Sequence, residues 1–437
     1  MNWSRLRRKL HSLAQRGARV ALGFGLLFSP IAYVPVQANQ PNSTTAAEWP
    51  KYQRSPDNNA VVERSNFAAH WTFDAKARVN SALAVVNETV IFDTFDGRVV
   101  SLNIATGLPE WEARGDNVMM STPIVHNGKV YVGTGDKGVL GAKPTKWVYS
   151  AHGGQTWGRR AGDHIIAINL ATGRQLWSYA TVGEDMPSAV IAGGKLVFSN
   201  GDQNAYGLEP ATGNMIWKTS LGGVSTMASA NAFGSLVVFG ICTGPTYNGS
   251  TVALSPKSGQ IIWRSSYGDC DSSPTYANSM IFVSGVDGPS RRYGPGGRGV
   301  VAGLDSKSGH VIWVFRASED GPYTTVGSSE RAVAGAFADQ IFYQAIPTSD
   351  ELVAFDGKSG RVRWRLRTAG PVKMSPVITR GRLYVGDTTG VFYTVDSRSG
   401  KLLQAEAFDT PFSTSPPVIV GRTIIVAAGT TIHAFPI

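Results

Sequence analysis

From about residue 69 onward, apolar runs of a few residues alternate with short polar stretches that carry glycine. Runs this short, rich in Val, Ile and aromatic residues and bounded by turn formers, predict β-strands rather than helices. One unit sets the pattern. Val353-Ala354-Phe355 is an apolar strand, Asp356-Gly357-Lys358-Ser359-Gly360 a tight turn, and Arg361 to Trp364 a second strand closed by an indole. Six further copies follow the same plan: Leu102 to Trp111, Ile168 to Trp177, Leu208 to Trp217, Leu254 to Trp263, Leu304 to Trp313, and Val395 to Gln404, the last without its Trp. Their turn glycines (107, 173, 213, 259, 309, 360 and 400) are 66, 40, 46, 50, 51 and 40 residues apart. A constant unit with elastic spacing marks a repeat architecture with loops inserted at one point of each repeat.

Each part of the unit has a physical task. The turn requires a positive φ, which glycine adopts without steric cost. The Asp, Asn or Ser that opens most of the turns bonds the turn backbone through its side chain. A four-stranded sheet does not bury both faces alone, so Trp111, Trp177, Trp217, Trp263, Trp313 and Trp364 are expected to pack on the neighbouring unit. Ala69 to Phe73 reads as an outer strand lacking its hairpin, and the stretch from Ser415 to Phe435 as three strands lacking a fourth. Joined, they form a composite eighth unit. The prediction is an all-β, eight-bladed propeller over residues 39–437, closed by an N-terminal strand so that no sheet edge is left open.

With strands A to D running outward in each blade, the A–B and C–D turns share one face and look structural. The B–C and D–A loops share the other face and carry the variable material. In blade five, strand B is read as Met280 to Ser284 and strand C as Gly299 to Leu304. The B–C insertion of blade two, residues 136–163, holds Trp157 and Arg159. That of blade five holds Asp287, Arg291, Arg292 and Arg298. Binding and catalysis on a rigid scaffold concentrate in such loops.

Composition changes this picture in one respect. Six of the basic residues lie in the first 38, before and within the approach to an apolar run from Val20 to Phe28, and Val36-Gln37-Ala38 offers a cleavage site. Residues 1–38 are therefore expected to be a secretory signal peptide. Removing them takes the formal charge from +10 to +4, and the compositional case for nucleic-acid binding goes with it. The expected location is the periplasm or cell exterior, with no integral membrane span after cleavage. Cys242 and Cys270 are the only cysteines, and in an oxidising compartment they are a disulfide candidate. The histidines show no metal-ligand spacing, and no metal is assigned.

The turn-plus-Trp unit is similar to the tryptophan-docking motif of the pyrroloquinoline quinone (PQQ) repeat family, and the resemblance covers essentially residues 45–437. It implies an eight-bladed, quinoprotein-like ring, found in outer-membrane assembly scaffolds, tetrathionate hydrolases and quinoprotein dehydrogenases. Fold does not choose among these. The first reading is a binding or assembly platform that engages an envelope protein or peptide through the loop face. The second is a sulfur-chemistry hydrolase for a small anionic substrate such as a polythionate. In it Cys270, at the channel mouth, is the nucleophile, Asp269, Asp271 or Asp287 the acid or base, and Arg291, Arg292, Arg298, Trp157 and Arg159 the substrate contacts. The third is PQQ- and calcium-dependent oxidation, against which stands the absence of the adjacent cysteine pair and the haem-attachment sequence typical of those enzymes. No cofactor is assigned.

Overall fold

The computed structural model describes residues 61–62, 64, 66–115, 117–135, 163–243, 248–287, 298–317 and 334–437. The expected signal peptide and the positions Trp157, Arg159, Arg291 and Arg292 lie outside them. Eight sheets follow one another around a ring. Seven are four-stranded and consecutive in sequence, and blade one, for example, runs through Ala84–Val86, Thr89–Asp93, Arg98–Asn103 and Pro109–Arg114. The eighth joins Val418–Val420, Thr423–Ala428 and Thr431–Pro436 to Trp71–Asp74, with Trp71 opposite Ala434. A strand that the sequence pattern did not reveal, Val61–Val62, pairs in parallel inside Val418–Val420 and makes this blade five-stranded. In blade five the central hairpin is longer than expected: Met280–Asp287 pairs with Arg298–Asp305, so Asp287 and Arg298 are ladder partners.

The repeat unit explains how the blades attach. In each of the seven consecutive blades the outermost pair carries a β-bulge one residue before the docking position, as where Leu208 pairs with Met215 but Gly207 with Trp217. A bulge rotates the following side chain, and here the rotation turns each indole toward the next blade. Seven indole N–H groups donate to the carbonyl of the residue that follows the turn-opening position of that blade. Trp71 donates to Ile104, Trp111 to Leu170, Trp177 to Pro210 and Trp217 to Pro256. Trp263 donates to Ser306, Trp313 to Gly357 and Trp364 to Ser397, and all seven bonds measure 2.8–3.2 Å. The turn glycine lies flat against the same ring. A Cβ on Gly309, at φ +69°, would lie 2.4 Å from Trp263. Glycine is therefore fixed twice, by its conformation and by the indole above it.

Candidate functional site

On the loop face the inner strands begin around a narrow axial mouth. Its rim is a hydrogen-bond relay built from equivalent positions of successive blades. The Ala82 amide donates to Thr122 Oγ1, the Thr122 amide to Ser188 Oγ, the Ser188 amide to Ser229 Oγ and the Ser229 amide to Ser273 Oγ, at 2.8–3.2 Å. These short hydroxyl side chains are what lets the blades approach so closely. The cavity they enclose is small, about 40 Å³, and Met120, Met186, Met227 and Asp271 also line it.

The loop from Gly268 to Ser273, between blades four and five, is the most constrained segment of this rim. Cys270 is bonded to Cys242, with an S–S distance of 2.04 Å and both residues buried. The Cys270 carbonyl accepts the backbone amides of Thr226, Met227 and Ala228. Glycines on flanking strands let the loop settle: a Cβ on Gly240 would lie 2.1 Å from the Asp269 carbonyl, and one on Gly249 1.8 Å from that of Gly268. This packing holds Asp269, 3% exposed, with its Oδ1 accepting the Asp271 amide at 3.0 Å and lying 3.8 Å from Cys242 Sγ. Asp271 accepts the Thr226 hydroxyl and reaches the axial cavity.

This geometry corrects one expectation. Cys270 has no free thiol, because its sulfur is spent on Cys242, so it is not a thiolate nucleophile in this state. The same bond disposes of a metal at Cys242, Asp269 and Cys270, the one cluster of potential ligands among the described residues, since disulfide sulfurs are not thiolate donors.

Beside the loop lies an open cleft of about 510 Å³ between blades four and five. Thr243, Ser250, Tyr267, Gly268, Ser284 and Arg316 are among its walls. Arg316, which the sequence reading missed, donates to the Tyr267 hydroxyl at 3.0 Å. It ends an outer strand like many other polar residues, and only the packing of two blades shows that it faces a cleft. Asp287 and Arg298 sit farther out, where the long hairpin of blade five leaves the sheet.

Two further acids are buried. Asp93 is fully buried at the end of the second strand of blade one. Burial pushes its pKa up to about 8, and the neighbouring Ser81 hydroxyl and Ser121 amide offset this only in part. The equivalent residues in blades two to eight are Gly133, Ser199, Gly240, Ser284, Ala345, Gly386 and Ala427, all small. Asp185, in the loop leading to blade three, is likewise held well above the usual carboxylate range by burial.

The disulfide and the axial cavity do not fit a quinone. The disulfide joins residues 28 apart in sequence and is buried under backbone, so it offers no open face to a planar ring. The axial cavity is an order of magnitude below the roughly 300 Å³ at which small-molecule pockets begin. No step is derived through PQQ or calcium.

Comparison with known proteins agrees with this fold. The chain is 26% identical to the tetrathionate hydrolase of Acidithiobacillus ferrooxidans over 355 residues, which is 78% of this chain and 69% of that protein. It is 22% identical to outer membrane protein assembly factor BamB of Yersinia pestis over 292 residues, or 62% of this chain and 66% of that protein, just under two thirds of its length. The quinohemoprotein alcohol dehydrogenase of Comamonas testosteroni superposes with a TM-score of 0.66 at 13% identity, covering 89% of this chain and 80% of that one, a likeness of fold alone. The model of the family described as outer membrane protein assembly factor BamB matches residues 60–240, 234–366 and 297–435. Repeat unit, indole docking and eight closed blades thus converge with that match, and the chain belongs to this family of PQQ-repeat propellers.

Proposed function

We propose that the protein is an extracytoplasmic hydrolase of a sulfur–sulfur-linked dianion of the polythionate class, acting at the mouth between blades four and five. The observation that carries the reading is the triple fixation of one loop, by a disulfide, by three amides on one carbonyl and by glycine packing. That loop carries Asp269, next to the Gly268 that lines a polar cleft with Arg316 on its wall, and Asp271, which reaches the axial cavity. Rigid support of this kind is what a preorganised site needs. The likeness to tetrathionate hydrolase supports it further.

In this reading the nucleophile is water, because Cys270 is oxidised. Asp269 or Asp271 takes one proton as the water oxygen bonds to a terminal sulfonate sulfur. The bond from that sulfur to the internal sulfur chain breaks with its electron pair going to the chain, giving hydrogen sulfate, which releases the second water proton to solvent, and a sulfane-sulfonate whose terminal sulfur takes a proton from solvent. No net oxidation occurs. Arg316, on the cleft wall, holds an anionic end.

The experiment is release of sulfate from tetrathionate by the purified, non-reduced protein. Asp269→Asn should lose activity by about 10²-fold or more, the usual contribution of a general acid–base group. Absence of turnover, or full activity in that variant, overturns the proposal. A binding platform is the second reading, favoured by the BamB description of the matching family. It predicts an envelope protein retained by wild type and by Asp269→Asn alike.

A further inference from the structure

The opposite face, made of short turns, is not uniform in charge. On blades six and seven the C–D turns present Lys358, Arg361, Arg398 and Lys401, and the A–B turn of blade seven adds Arg380 and Arg382, all exposed. The acids among them are few. Asp356 and Asp396 open the two C–D turns, and their side chains are occupied by Ser359 and Ser399. Asp356 is also bonded to Arg363 at 2.6 Å, and this partner and Ser359 push its pKa down to about 2. Asp339 lies in the A–B turn of blade six. Trp364, two residues after Val362 on blade six, donates to the Ser397 carbonyl of the blade-seven turn at 2.9 Å, which brings the charges of the two turns together. Blade one differs: its same face sets Arg64 against Glu88 of the A–B turn. Two aliphatic side chains lie within the basic patch, Val362 at 37% and Leu403 at 46% exposure.

We infer that this patch docks the propeller on a membrane surface carrying anionic phospholipid. Cations interleaved with exposed aliphatic groups suit the boundary between headgroups and acyl chains. The face is built from turns of near-identical length, so it offers a flat contact rather than a groove shaped for a folded partner. The patch is remote from the loop face, which would stay open to solvent when it is engaged.

The test is co-sedimentation of the full chain with vesicles of phosphatidylcholine alone and with phosphatidylglycerol added. Binding is expected only with the anionic lipid and should fall as salt rises. Lys358→Gln with Arg398→Gln should weaken it roughly 25-fold, at about 1 kcal/mol per cation. Leu403→Ser should weaken it by less, and Asp269→Asn not at all. Equal binding to neutral vesicles, or no response to the two Gln substitutions, overturns the inference. So does soluble polyglutamate binding without vesicle binding, which would mark an acidic polypeptide as the partner. A dimer that the same substitutions dissociate would reassign the face to a second copy. The substituted residues lie in exposed turns, and an unchanged melting temperature confirms that the fold is intact.

Discussion

Seven of the eight blade junctions are built alike, and the eighth is built from other parts. Where a C–D turn exists, an indole from the preceding blade covers its glycine and donates to the carbonyl just after its opening residue. Blade eight has no such turn, because its two outer strands come from distant parts of the chain. The docking position facing it is Gln404, paired with Thr394 and exposed. That junction is filled instead by phenyl rings. Phe408 meets Phe412 at 5.0 Å and Phe435 at 6.1 Å, and Phe392 meets Phe412 at 5.5 Å. Phenyl rings bury area and pack edge to face without needing an acceptor, so they suit a junction that offers none. The indole is therefore matched to the turn, and the two are one device.

The largest effect should come from opening the ring. Deleting residues 430–437 removes the strand that pairs with Trp71–Asp74 and leaves edges on both sides of the break. The expected outcome is loss of a cooperative thermal transition by calorimetry. A truncated protein that still melted sharply near the wild-type temperature would mean that closure contributes little. Next comes the contrast between junction types. Trp313→Ala should cost about 4–5 kcal/mol, from the lost ring and from the Gly357 carbonyl left without its donor. Phe408→Ala, at a half-buried site with no polar partner, should cost about 2–3 kcal/mol. Urea midpoints of the two variants decide the matter, and equal losses would remove the distinction.

The ring was readable in the sequence because turn chemistry is local. Glycine, the residue opening the turn and the Trp lie within ten positions, and each announces its role. Trp71 shows what counting adds. Seven turn glycines against six motif indoles leave Gly107 without a cover, and Trp71 supplies it. The site was less readable. Asp269, Cys270 and Asp271 draw notice in the sequence because they are neighbours in one unusual loop, whereas Arg316 and Asp93 owe their positions to the packing of separate strands. Asp93 stands out only once the blades are aligned by register.

That alignment gives the third prediction, a position where one blade departs from the other seven. The folded pKa of Asp93 is raised to about 8 by burial, against about 3.9 for an unfolded chain. Its contribution favours folding at low pH and is lost as pH rises through about 8. Asp93→Ser restores the small residue found elsewhere and lacks this titration. The gap in urea midpoint between variant and wild type should widen in favour of the variant from pH 5 to pH 9. A constant gap would mean that Asp93 is solvated or paired in solution.

The smallest effect is also the sharpest test of the matching of indole to turn. Gln404→Trp restores the missing ring on blade seven, at the position where the other six consecutive blades carry theirs. If docking depended on the bulge and outer strand alone, the new indole would stabilise the junction by more than 1 kcal/mol, and its emission would shift to the blue on burial. No turn glycine or turn carbonyl awaits it in blade eight, so the expected change lies within about 0.5 kcal/mol, as for other exposed substitutions. Trp364→Gln, the reciprocal change one blade earlier, removes a ring that covers Gly400 and donates to Ser397 at 2.9 Å, and it should cost several times as much. A near-zero gain at 404 beside a large loss at 364 would place the stabilising energy in the contact between ring and turn, not in the ring itself.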